Sequence, residues 1–267
     1  MQGRRFRPNY WLIVFSTLVC LLIVGVAALA SGYRYIRLPS GLKFFGKTEA
    51  GVPLHGRIFY PDGSKGRFDA EEHTIAFADG GVYTGGLYGL ERHGSGTMTY
   101  ADGRVYTGDF SHDAVTGEGT LKTPDGESYT GEFRDGLRDG EGTYVYADGS
   151  MYSGAFEHDL REGHGFLRMA DGSVYEGGFE NDLKSGTGTI RYGNKDTYTG
   201  DFSEDMREGA GVYTWAQGIR YTGEFRNDGI GGYGRYVYNG ETIAEGWFDD
   251  GKPVAGASSP LPAVAAP

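Results

Sequence analysis

Residues Tyr129–Met151 read YTGEFRDGLRDGEGTYVYADGSM. Counting Tyr129 as position one, Gly stands at three, Phe at five, Gly at twelve and fourteen, and Asp-Gly at twenty and twenty-one. The pattern restarts 23 residues later, with starts at Tyr83, Tyr106, Tyr129, Tyr152, Tyr175, Tyr198 and Tyr221 and no insertion between them. A partial eighth unit opens at Ala244 and keeps Gly246 and Phe248. Tyr, Gly and Phe at positions one, three and five alternate with period two, which places them on one face of a strand. Positions twelve to eighteen do the same in Gly140, Gly142, Tyr144 and Tyr146, while Thr, Asp, Glu, Lys and Arg take the other face. Asp-Gly before each new Tyr is a hairpin turn signal, because both residues tolerate positive φ. It occurs at Asp102-Gly103, Asp125-Gly126, Asp148-Gly149 and Asp171-Gly172, and relaxes to Asn194-Lys195, Gln217-Gly218 and a shifted Asn239-Gly240. A six-residue loop over positions six to eleven is expected to close the other end.

The fold that follows is all-β, an elongated single-layer antiparallel array with one hairpin per repeat. No single hairpin buries its own face, so the repeats stand or fall together. The repeated Tyr-x-Gly-x-Phe with Gly-x-Gly at fixed distance resembles the MORN repeat (membrane occupation and recognition nexus). The resemblance spans residues 83–251 as seven full units and one partial, with traces back to about 50. It implies a MORN solenoid. MORN families are often linked to phospholipid binding, and accompany lipid kinases or methyltransferases, for which no residues remain here.

Forty-eight glycines and twenty tyrosines leave few aliphatic residues for a deep core, and the absence of a three-residue glycine period excludes collagen. Charge is divided unevenly: residues 1–82 carry +4 and residues 83–251 carry −16. An array of that sign opposes non-specific binding to nucleic acid or anionic membranes. Cys20 is the only cysteine, so no disulfide forms within the chain and no cysteine-based metal site exists.

Outside the array, residues 1–10 are basic, with Arg4, Arg5 and Arg7. Trp11–Ala30 then runs twenty residues without a charge. At about 1.5 Å per residue this spans about 30 Å, the hydrocarbon thickness of a bilayer. It reads as an uncleaved transmembrane helix, the apolar run being longer than a usual signal-peptide core. Ala28-Leu29-Ala30 offers the alternative of cleavage after Ala30 and a secreted or periplasmic product. Flanking charges put the N-terminus in the cytoplasm and the repeats outside it. Residues 31–82 read as a linker and degenerate capping repeats, with Gly56–Gly63 and His73–Gly80 repeating the spacing of later half-units. Residues 252–267, rich in Pro and Ala, read as a disordered tail.

No catalytic constellation or cofactor motif is present, and the chain reads as a non-enzymatic protein. His112 and His158 share a column two repeats apart, about 20 Å by strand spacing, too far to share one zinc. Asp-Gly without the nine-residue period of calcium-binding repeats needs no ion. Two columns remain. Arg138, Arg161, Lys184 and Arg207 recur at position ten and are candidates for gripping an anionic ligand, against a plainer reading as a neutralised, solvated loop edge with Asp139, Glu162 and Glu208 beside it and Asp135, Asp159, Asp182 and Asp205 nearby. Tyr144, Tyr146, Tyr192, Tyr213, Trp215, Tyr236 and Tyr238 lie in second strands and are candidates for a partner site, most of them expected in the core. The expected function is a membrane-anchored, non-enzymatic scaffold that binds a protein or itself, with dimerisation through an open strand edge. The alternative is recognition of phospholipid headgroups or an anionic polysaccharide.

Overall fold

The structure, a computed structural model, describes residues 10–254, and side chains from 17 onward. It divides into two compact units, 1–103 and 104–267. In the first, helix α1 (Tyr10–Ala30) is followed by β1 (Tyr33–Arg37), β2 (Lys43–Glu49), β3 (Val52–Phe59), β4 (Lys65–Asp69), β5 (Thr74–Phe77), β6 (Val82–Tyr88) and β7 (Glu91–Thr99). Each strand pairs antiparallel with the next. Helix α1 stops at Gly32, whose φ of 85° is the left-handed cap that a side chain would disfavour.

Among the described residues no helix is long and apolar enough to cross a membrane. Described side chains of α1 run from 17 to 30, about 21 Å of helix against about 30 Å of hydrocarbon. The transmembrane expectation for Trp11–Ala30 is therefore not carried by the described residues. Part of that segment's side chains, residues 1–9 and the tail from 255 lie outside them.

Segment 31–82 uses the array's device in altered form. Gly46 of β2 faces Gly56 of β3, and the fully buried Phe44 ring lies across both. A β-carbon on Gly46 would meet that ring at 2.6 Å. Phe44 thus stands where later repeats place Tyr.

The second unit holds β8 (Val105–Ser111), β9 (Ala114–Lys122), β10 (Ser128–Arg134), β11 (Leu137–Val145), β12 (Met151–Glu157), β13 (Leu160–Arg168), β14 (Val174–Glu180), β15 (Leu183–Arg191), β16 (Thr197–Ser203), β17 (Met206–Thr214), β18 (Arg220–Arg226), β19 (Gly229–Tyr238), β20 (Glu241–Asp249) and β21 (Lys252–Pro253). These too pair antiparallel in chain order as successive hairpins. The register repeats with the sequence: Tyr129 faces Tyr144 and Gly131 faces Gly142, then Tyr152 faces Leu167 and Gly154 faces Gly165.

The loop expectation needs correction, while the Asp-Gly turns stand where the sequence puts them with one refinement. The six-residue loop over positions six to eleven is a two-residue turn, because the strands continue through it. Asp135-Gly136, His158-Asp159, Asn181-Asp182, Glu204-Asp205 and Asn227-Asp228 all have positive φ at both residues, as a tight type I′ hairpin requires. The length is absorbed by a β-bulge in the second strand, where Asp139, Gly140 and Glu141 of β11 stand opposite Glu132 alone and Gly140 has positive φ, and equivalently in later repeats. At the other end only Gly of Asp-Gly is left-handed. The Gly149 amide donates to the Tyr146 carbonyl at 3.0 Å, while the Asp148 carboxylate accepts the Ser150 amide at 2.8 Å. Asp is there to hold the turn through its side chain. Asn239-Gly240 is the exception, with both residues at positive φ.

Candidate functional site

Each repeat's Tyr is the centre of its packing. Tyr106, Tyr129, Tyr152, Tyr175, Tyr198 and Tyr221 are buried, and the ring of each lies over the glycines at positions three and fourteen. A β-carbon on Gly142 would sit 2.4 Å from the Tyr129 ring. Edge-to-face contacts then run along the array: Tyr129 meets its own Phe133 at 5.0 Å and Phe156 of the next repeat at 5.1 Å. Tyr152 meets Phe156 at 5.1 Å and Phe179 at 5.0 Å. Each hydroxyl donates to the carbonyl at position four, as in Tyr129 to Glu132 at 2.9 Å and Tyr198 to Asp201 at 2.8 Å. The buried phenol is satisfied at the bulge, a role the sequence pattern did not disclose.

Burial is the main cause that raises these phenols. It pushes Tyr175 and Tyr221 up to about 12, and Tyr144 up to about 12 with help from its hydrogen bond to Glu127. Tyr129, Tyr152 and Tyr198 are raised in the same direction. Unfolded tyrosine ionises near about 10. Above that pH the unfolded chain releases protons that the folded chain keeps, so the stability these groups contribute is present below pH 10 and declines as pH rises towards 12. Thermal unfolding followed by circular dichroism should therefore show a melting temperature falling across that window, with tyrosinate absorbance appearing together with loss of structure. A melting temperature unchanged from pH 10 to 12 would contradict this.

The basic column at position ten is engaged within the array. The Arg138 backbone amide and Nε both donate to Asp159 Oδ1 at 2.9 Å, and its terminal nitrogen donates to the Asp159 carbonyl at 2.7 Å. Arg161 makes the same three bonds to Asp182, and Arg207 to Asp228. Lys184 pairs with Asp205 at 3.2 Å. In return the Asp159 amide donates to the Arg138 carbonyl at 2.9 Å. Each turn is thus tied to the preceding repeat. The cations also cover rings: Arg138 lies 5.0 Å from the Tyr144 centroid and 5.1 Å from Phe156, and Arg161 lies 5.0 Å from Phe179.

Changing Arg138, Arg161, Lys184 and Arg207 together to Gln is accordingly expected to lower stability, by about 1 kcal/mol per clamp, since each pair is part-exposed. Anionic-vesicle binding should stay as it is. A fall in vesicle binding at unchanged urea midpoint would assign these cations to a ligand instead.

The candidate aromatics separate by depth. Tyr213, Trp215 and Tyr236 are buried, Tyr144, Tyr146 and Tyr192 are half-buried, and Tyr238 is 42 % exposed. Tyr144 and Tyr146 lie tilted at 50° with centroids 4.6 Å apart, and Tyr144 donates to Glu127 at 2.5 Å. Tyr213 donates to the buried Asp196 at 2.7 Å, whose other oxygen accepts the Ala216 amide of the next turn at 2.8 Å. Trp215 stacks on Tyr236 at 5.8 Å. Tyr144, Arg138 and Asp159 share a depression of about 260 Å³ with Leu121 and Thr123, where a leucine stands at the position that Tyr144 fills one repeat later. Among the described residues no group of three His, Cys, Asp or Glu is placed to hold a metal ion.

Sequence reasoning passed over the most exposed aromatics of the second unit. Tyr233 and Trp247, 47 % and 58 % exposed, lie on the face opposite Tyr236 and Phe248. They face each other across β19 and β20 with ring centroids 5.9 Å apart. Period-two alternation from Tyr236 and Phe248 would have located them, since each lies an odd number of residues from a core position. Leu137, Leu160 and Leu183 form a further exposed column at position nine.

Against known families, the profile described as MORN repeat matches residues 91–103, 106–128, 129–151, 152–174, 175–197, 198–220 and 221–241. No curated protein matches the chain. Among solved structures, the TCP10 domain of Danio rerio CPAP in complex with a peptide of Danio rerio STIL is similar at 16 % identity and a TM-score of 0.39, covering 85 % of this chain and 99 % of that one. An inactive virginiamycin B lyase from Staphylococcus aureus is similar at 8 % identity and a TM-score of 0.18, covering 79 % and 82 %. At these scores neither likeness carries an argument about this chain.

Proposed function

The chain belongs to the MORN-repeat family, and from that premise we propose that it is a non-enzymatic scaffold whose array presents a surface to a protein partner or to itself. MORN repeats are generally modules of protein or lipid interaction. The observation that carries the protein reading is how the recurring residues are used. Tyr, Phe and the paired glycines pack against one another, and the position-ten cations bind the next turn. What remains for a partner is what varies or faces outward: Leu137, Leu160 and Leu183, Tyr238, and the Tyr233–Trp247 pair. Exposed apolar rows of this kind mark partner sites. The headgroup or polysaccharide reading has −16 of array charge against it.

The proposal includes an anchor through Trp11–Ala30 with the N-terminus in the cytoplasm and the repeats outside it, or release of the array by cleavage after Ala30. Its support is the uncharged run itself and the exposure of Leu18, Leu21, Leu22, Ile23, Val24, Val26 and Leu29 on α1. Chemical crosslinking of the full chain in membranes, with identification of what is captured, tests the scaffold. Recovery of neither a protein nor a second copy would remove the reading. Protease digestion of intact vesicles reports anchoring and sidedness in the same preparation.

A further inference from the structure

The outward face of β1–β4 has the opposite charge to the array. Cross-strand pairing sets Arg37 beside Lys43, Tyr35 beside Phe45, Phe45 beside Arg57 and Arg57 beside Arg67, while Phe44, Ile58 and Phe68 are buried on the other face. Lys47 and Lys65 complete a set of six exposed cations. None of the six side chains has a hydrogen bond or ion pair to another described residue. Like charges directly opposite one another destabilise a sheet, so Arg37–Lys43 and Arg57–Arg67 work against the fold unless an anion lies over them. The only acids of the four strands, Glu49 and Asp69, stand at strand ends, and Asp69 accepts the Glu71 amide at 3.0 Å. Among the cations, Tyr35 and Phe45 are 62 % and 48 % exposed.

Unpaired cations around exposed aromatic rings suit a lipid headgroup layer, where the rings take the interface and the cations take phosphates. What argues for lipid over another polyanion is place. Only Ser31 and Gly32 separate α1 from β1, and Arg34 Nη1 donates back to the Leu29 carbonyl at 2.7 Å. The sheet is thus tied to the end of a helix whose Leu21, Leu22 and Val26 are exposed. β4 is three strand steps from β1, about 14 Å, so every cation stays near a bilayer that holds α1. We propose that this face rests on an anionic bilayer surface, with the six cations against lipid phosphates and Tyr35 and Phe45 among the headgroups. The contact belongs to a segment that precedes the matched repeats, and the acidic array is repelled by the same surface. The inference rests on the anchoring part of the proposed function and holds for an anionic leaflet on either side of the membrane.

The test uses the full chain reconstituted in vesicles of phosphatidylcholine alone, or of phosphatidylcholine mixed with phosphatidylglycerol. Lysines are acetylated with a membrane-impermeant reagent and read by mass spectrometry, with the exposed Lys122 of the array as internal reference. Each cation held near an anionic surface strengthens attachment about fivefold. Labelling of Lys43, Lys47 and Lys65 should therefore fall by about threefold or more in the anionic vesicles, with Lys122 unchanged, and should recover in high salt. Arg57→Glu with Arg67→Glu should abolish the fall and leave the far-ultraviolet spectrum as it is, since both side chains are exposed. Equal labelling in the two kinds of vesicle would overturn the proposal. So would protection in neutral vesicles on adding inorganic phosphate, by assigning the cations to a free anion. Flotation with neutral vesicles reports the anchor by itself: a chain that floats only with anionic vesicles, its three lysines protected, would keep this face and remove the anchor.

Discussion

Tyr152→Ala is expected to destabilise the array by about 3–5 kcal/mol, the range for removing a large buried aromatic. The ring is wholly buried and stands edge-on to Phe156 and Phe179 at 5.1 and 5.0 Å, with the Arg161 guanidinium 5.6 Å from its centroid. Its hydroxyl serves the Ala155 carbonyl at the bulge at 2.9 Å. Deleting it opens a void between two repeats and leaves that carbonyl without its donor. Neighbour-to-neighbour packing carries an array of this kind, so the loss should also divide the urea transition, with the two sides of the weakened junction unfolding separately. Tyr152→Phe keeps the stacking and removes only the hydroxyl, and should cost about 1 kcal/mol. An alanine variant within 1 kcal/mol of the parent would show that the stacked column is not what holds the repeats together.

The second large effect comes from adding a single methyl group. A β-carbon at Gly165 would lie 2.4 Å from Tyr152 Cε2 and 2.6 Å from its hydroxyl oxygen. The ring is braced by Phe156 on one side and Phe179 on the other, so it has nowhere to retreat. Gly165→Ala should therefore cost about 1–3 kcal/mol or more through overpacking. Combined with Tyr152→Ala the new methyl group enters the void, and the double variant should be less destabilised than the sum of the two by at least about 1 kcal/mol. Strict additivity would mean that glycine is required for a reason other than clearance for the ring.

Much of this was readable from Tyr129–Met151. Period-two spacing put Tyr129, Gly131 and Phe133 on one face, and the unbroken 23-residue interval implied identical hairpins; both follow from local rules that a strand obeys anywhere. The loop was misjudged because Arg134-Asp135 and Arg138-Asp139 bracket Gly136-Leu137 with charge and have the composition of a solvated connection. The bulge at Asp139–Glu141, opposite Glu132, lets Leu137-Arg138-Asp139 remain in strand, and its one trace in the sequence is the glycine at position twelve. The cation column was visible, and its plainer reading as an edge neutralised by nearby aspartates agrees with the pairs Arg138–Asp159, Arg161–Asp182 and Lys184–Asp205. That each pair reaches forward 21 residues to the next repeat's turn was not legible, because Asp159 also holds a positive-φ turn position. Residues with two duties disclose only the local one.

The forward reach of that clamp has a consequence for how such chains change length. Because every link runs from one repeat to the same place in the next, excising 152–174 would leave Arg138 opposite Asp182 and Tyr129 opposite Phe179, with every bond type preserved. Inserting a whole unit would be equally silent. Duplication or loss of one 23-residue block is then a neutral step for folding, while slippage by any other number of residues breaks the clamp and the ring column together. Within the second unit, two strands per repeat at about 4.8 Å each mean that one added or lost block changes the sheet by about 10 Å. Selection can adjust that unit's length one block at a time.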